Sequence, residues 1–90
     1  MQIVESGTPI NLTDDGVVSV APGTLLGFYV NSTNAGTIIV RNGSTSAGTA
    51  VTGTITPAIG YHALNMYLTG GCYVTIGGTA LDVTLFFAAG

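Results

Sequence analysis

The sequence predicts an all-β protein: a single small antiparallel β-sandwich, jelly-roll-like, of about eight short strands. A closed barrel is the second choice. Three observations lead there. Apolar residues recur with period two wherever a pattern exists, and no window carries the i, i+3, i+4, i+7 spacing of a long helix. Fourteen glycines punctuate the chain at short intervals. Thr, Val, Ile and Tyr fill the stretches between them, as a pleated surface favours.

The elements follow in chain order. Strands are expected near residues 2–5, 8–13 and 17–20, the last of these short enough to be an extension of a neighbour. "DDG" at residues 14–16 and "APG" at 21–23 read as the turns that bound them. "LLGFYVN" sets Leu26, Phe28 and Val30 against Leu25, Gly27 and Tyr29, giving a strand over 23–31. "TIIVR" sets Ile38 and Val40 against Thr37, Ile39 and Arg41, giving a strand over 36–41. A strand over 49–56 contains Gly53, read as a bulge or a close backbone contact, and ends at Pro57. "YHALNMYL" sets His62, Leu64, Met66 and Leu68 against Tyr61, Ala63, Asn65 and Tyr67. Residues 72–87 alternate throughout, and "IGGT" at 76–79 reads as a two-residue hairpin turn within them. The whole forms one domain over 1–90, with 1–20 as an N-terminal arm or peripheral strands.

Charge is scarce. The chain has one Lys+Arg, four Asp+Glu and one His, for a net charge of −3. Charged residues make up 6%, against roughly 25% in an ordinary domain. With 47% hydrophobic residues this is not the composition of a disordered chain. A single cation excludes binding that depends on neutralising many phosphates, so no nucleic-acid partner is expected. No stretch reaches the ~18 apolar residues of a membrane helix, so no membrane partner is expected either. The opening "MQIVESGTPI" lacks the basic start and apolar core of a signal peptide, and the lone Cys72 cannot make an internal disulfide.

Catalytic equipment is thin. His62 alternates with Leu64, Met66 and Leu68 and so faces the core or an interface; a base or metal ligand there would need partners from only four carboxylates. Cys72 shares a face with Val74 and Ile76 and reads as a buried structural residue. Asp14-Asp15-Gly16 supplies too few oxygens for a calcium loop and reads as a turn. A phosphate loop needs a lysine the chain lacks. Asn11-Leu12-Thr13, Asn31-Ser32-Thr33 and Asn42-Gly43-Ser44 fit the glycosylation acceptor pattern, as chance predicts in a chain this rich in Asn, Ser and Thr. The expectation is a protein that is not an enzyme, with no catalytic residue, no cofactor and no metal.

Apolar residues also occupy the face opposite the better core face: Tyr29, Ile39, Tyr61, Tyr67, Tyr73 and Phe86. A contiguous set of that kind marks an interface. The lone cation, Arg41, ends a strand at a loop of small residues over 42–48. Arg is enriched in interfaces and pairs well with carboxylates. The interface residues read from the sequence are therefore Arg41, Asn42, Tyr29, Tyr61, Tyr67, Tyr73 and Phe86, and the expected partner is the protein itself.

"GTIIVRNGSTSAGTAVTGTI" and "GYHALNMYLTGGCYVTIGGTALDVTLFF" resemble small tailed-bacteriophage virion proteins of the capsid decoration (cement) or head-fibre type, over residues 23–87. Where such proteins often carry Asp-Gly in the loop, this chain has Asn42-Gly43. The resemblance implies self-assembly, often as a homotrimer, docking on the major capsid protein, manufacture in the host cytoplasm and residence on the capsid surface of the virion. The alternative is a tail-fibre or spike-tip module that recognises host surface glycans, for which aromatic platforms beside polar loops would speak.

Overall fold

The computed structural model describes residues 8–89 and contains six hydrogen-bonded strands: β1 Thr8–Leu12, β2 Gly16–Ser19, β3 Gly23–Asn42, β4 Thr49–Ala50, β5 Gly60–Leu68 and β6 Cys72–Ala89. All pairings are antiparallel. The two long strands run side by side over their whole length, from Gly23 opposite Ala89 to Asn42 opposite Cys72. Both bend midway, over residues 31–36 of β3 and 77–80 of β6, where their register slips repeatedly. Each therefore contributes one segment to each of two layers.

The first layer runs β1, β6 (81–89), β3 (23–30), β5. The second runs β2, β6 (72–77), β3 (37–42), β4. This makes eight strand segments in two four-stranded sheets, a β-sandwich. Its pairs are nested: β1 with the end of β6, β2 with the start of β6, the start of β3 with β5, and the end of β3 with β4. A long hairpin folded over on itself in this way is the topology of a jelly roll. Among the described residues the edges stay open, so these strands do not close into a barrel.

The core lies between the layers. Leu25, Phe28, Val30, Leu68, Leu81, Val83, Leu85 and Phe87 from the first layer meet Val18, Ile38, Val40, Cys72 and Val74 from the second in one cluster. None of the described buried side chains is polar or charged. Period-two alternation puts these residues inside, and their burial is the main favourable term in folding.

Four expectations are corrected. Ile76–Thr79 is not a hairpin: β6 runs through it, and Gly77-Gly78 is the bend that carries the strand between layers. Gly78 has φ +77°, and a Cβ there would lie 2.7 Å from the carbonyl oxygen of Ala35. Glycine relieves both constraints. In β3 it is Leu25, not Leu26, that is fully buried. The register shifts between Leu25 and Gly27 against both neighbours, and the extra residue exchanges the faces of the strand. The strand expected over 49–56 shrinks to β4, followed by irregular chain that returns for one bridge, Ile55 to Ile38. Gly53 makes no close contact: a Cβ there would meet nothing within 4 Å. The strand expected near 2–5 lies outside the described residues. Of residues 1–20, those over 8–19 form edge strands, β1 on the first layer and β2 on the second.

Candidate binding faces

The seven residues read as an interface fall in three places. Tyr29, Tyr61, Tyr67 and Phe86 stand on the outer face of the first layer, Arg41 and Tyr73 on the outer face of the second, and Asn42 at the end of the sandwich where the loops gather.

On the first layer, cross-strand register lines up Asn11, Thr84, Tyr29 and Tyr61 in one row. The next row contains Pro9, Phe86, Gly27 and Ala63. Gly27 leaves a gap in the sheet surface, and Tyr61 leans into it. A Cβ on Gly27 would stand 2.5 Å from the Tyr61 hydroxyl oxygen. The Tyr61 ring meets Phe86 beyond, with centroids 6.1 Å apart and planes tilted by 54°. Such tilted pairs are favourable because ring edges are positive and ring faces negative. Tyr29, Tyr61 and Tyr67 remain 43%, 53% and 55% exposed.

A polar group adjoins these rings, and sequence reading did not anticipate it. Asp82 projects from β6 between Asn11 on β1 and Asn31 on β3. Asn11 Nδ2 donates to Asp82 Oδ1 at 2.7 Å and to Thr84 Oγ1 at 3.1 Å. Asn31 Nδ2 donates to the same two atoms at 3.3 and 3.1 Å. A carboxylate oxygen accepts only, so both amides must turn their nitrogens toward it and their carbonyl oxygens away. The two asparagines were visible as glycosylation acceptors, and Asp82 as an outward residue of an alternating strand. Their meeting depends on long-range register, which no local pattern reports.

The second layer differs. Its row reads Val17, Tyr73, Arg41 and Ala50, with Thr75 and Ile39 in the next. The Arg41 side chain lies along the sheet. Its Nε donates to Thr75 Oγ1 at 2.9 Å and its Nη1 to the Gly48 carbonyl at 3.2 Å. Both acceptors are neutral. The cation therefore braces the 43–48 loop against β6. Val17, Val20 and Val51, at 43%, 77% and 42% exposure, surround this face and its end.

Asn42 ties the loops together. It donates to Thr69 Oγ1 at 3.2 Å and accepts from the Gly70 N–H at 2.7 Å. Asp15 is a turn residue, as read: its Oδ1 accepts from the Ile76 N–H at 2.6 Å and fastens the β1–β2 connection to β6. His62 is half-buried on β5, 5.1 Å from the Phe28 ring centroid, with Nε2 2.8 Å from the Ala58 carbonyl oxygen. Since a carbonyl only accepts, Nε2 carries the proton. Cys72 is fully buried, and desolvation pushes its thiol up to about 12. Among the described residues no three His, Cys, Asp or Glu side chains gather in a metal-sized group.

No family model matches the chain, and no curated protein or solved structure matches it.

Proposed function

We propose that the protein is a non-enzymatic virion structural protein that decorates or cements a phage capsid, associating with itself, as a trimer, and docking on the major capsid protein. The observation that carries the reading is the outer face of the second layer. It offers a sheet surface of Val17, Ile39, Tyr73 and Thr75, extended by Val51, whose one cation is already held by neutral groups. Low charge and exposed apolar side chains are what an assembly surface needs. Standard contacts bury ~800 Å² on each partner, so two per subunit would cover about a third of the surface of a chain this size.

The test is light scattering coupled to size exclusion at micromolar concentration, followed by co-sedimentation with particles that lack the protein. The expected result is a trimer that binds the shell. A monodisperse monomer of 9.0 kDa that stays in the supernatant would refute it.

A second reading, a tail-fibre or spike-tip module that recognises host glycans, draws on a different observation: the aromatic and polar residues of the first layer.

A further inference from the structure

We infer that the outer face of the first layer is a carbohydrate site for a neutral oligosaccharide of pyranoses carrying adjacent hydroxyls, with Tyr29 and the Asn11–Asp82–Asn31 group holding one ring and Tyr61, which leans over Gly27 toward Phe86, meeting the next. This deepens the glycan reading and does not depend on capsid docking.

The chemistry of the patch selects the ligand. Tyr61 leans across the gap at Gly27 with its hydroxyl end close to the backbone, so the ring lies over the sheet, and it remains 53% exposed. An aromatic face is electron-rich and attracts polarised C–H groups, and a rigid ring loses little freedom on binding. One side of a pyranose ring presents such C–H groups, and its rim presents hydroxyls.

The hydroxyls of the rim need acceptors fixed beside a ring, and the row Asn11, Thr84, Tyr29, Tyr61 places them next to Tyr29. Both asparagine nitrogens are committed to Asp82 and Thr84. Each amide therefore keeps its carbonyl oxygen, turned away from Asp82, as an acceptor on an exposed residue. Adjacent hydroxyls can donate to these acceptors. A few fixed polar groups beside apolar surface are the usual make-up of a small-ligand site.

Charge excludes the other occupants. The only Lys or Arg of the chain is on the other layer, so among the described residues no such cation lies here to receive a phosphate, sulfate or sialic acid, and Asp82 would repel each of them. A second copy seated face to face would bury two Asp82 carboxylates with no Lys or Arg of the described residues between them, a costly arrangement. A neutral, hydroxyl-rich ligand satisfies the carboxylate without that cost.

The test is an NMR titration of the intact 15N-labelled protein with neutral gluco-, galacto- and manno-oligosaccharides, and with a sialylated oligosaccharide as charged control. At least one neutral sugar is expected to shift the amides of Tyr29, Tyr61, Thr84 and Phe86, with the sialylated sugar weaker. Tyr61→Ala should weaken binding about tenfold or more, and its spectrum reports whether the fold survives. Tyr29→Ala and Asp82→Asn leave Gly27 covered and should weaken binding as well. The inference fails if no neutral sugar shifts these amides, or if shifts centre on Val17, Ile39 and Tyr73. It also fails if Tyr29→Ala disrupts self-association, since the face would then be a subunit contact. Loss of particle co-sedimentation with sugar binding intact would count against capsid decoration alone.

Discussion

The two outer faces of the sandwich grow from the same pair of long strands, yet they have different chemistry. On the first layer the cross-sheet row is Asn11, Thr84, Tyr29, Tyr61; on the second it is Val17, Tyr73, Arg41, Ala50. One combines exposed aromatic rings with an amide–carboxylate group. The other carries aliphatic side chains and Tyr73, with a cation held on it by neutral acceptors. Such a face suits a protein surface, because contact area is what it has to offer. Rings beside fixed acceptors suit a small polar ligand, because they give orientation. The contrast teaches that the scarcity of charge has not made the surface uniform.

The comparison can be broken from within. The largest effect should come from the shared core. Phe28 is fully buried among residues of both layers, and Phe28→Ala should cost about 3–5 kcal/mol and lower the urea midpoint for probes on either face together. A transition that separated the layers would contradict a single core.

Next comes Gly27→Val. Its Cβ would stand 2.5 Å from the His62 carbonyl oxygen and from the Tyr61 hydroxyl. The crowding should cost about 1–3 kcal/mol and displace the Tyr61 ring, changing the first layer and sparing the second. Near-ultraviolet circular dichroism with chemical denaturation checks both parts.

Arg41→Ala sharpens the contrast from the other side. Two charge-assisted hydrogen bonds of about 1.5 kcal/mol each, one to Thr75 on β6 and one to Gly48 in the 43–48 loop, are lost and partly replaced by water in the variant. Assembly is expected to weaken by about 2 kcal/mol, roughly thirtyfold, while sugar binding is unchanged. Unaltered self-association on dilution would leave Arg41 as a loop brace alone.

The smallest effect at neutral pH belongs to Cys72. Burial raises its thiol from 9.0 to about 12. Above pH 9 the unfolded chain loses this proton while the folded chain keeps it. Stability therefore falls as pH rises from about 9 toward 12, by up to about 1.4 kcal/mol per unit. Cys72→Ala should remove that slope, and the native thiol should react with a thiol reagent far more slowly than free cysteine. Equal rates would place Cys72 at the surface.

Much of this fold was legible in the sequence because alternation is a local property. It placed Phe28, Val30, Ile38, Val40, Val74, Val83, Leu85 and Phe87 inside, and Tyr29, Tyr61 and Tyr67 outside. It failed where geometry is set by a partner strand. Gly77-Gly78 satisfies a tight turn and a sharp bend equally well, and only the pairing with β3 decides between them. The extra residue near Leu26 is equally invisible, because a bulge is defined by what lies opposite. The candidate site was half-legible for the same reason. Its aromatic residues stood out by type, but their division between two faces, and the convergence of Asn11 and Asn31 on Asp82, follow from pairings 51 and 71 residues apart in the chain.

The central claim, that the second layer makes the protein contacts and the first faces outward, is tested most directly by cryo-electron microscopy of the source particle. The account predicts density on the capsid shell, with Val17, Ile39 and Tyr73 buried against another copy or the capsid protein, and Tyr29, Tyr61 and Asp82 open to solvent. Density confined to the tail, or a first layer buried against the shell, would contradict it.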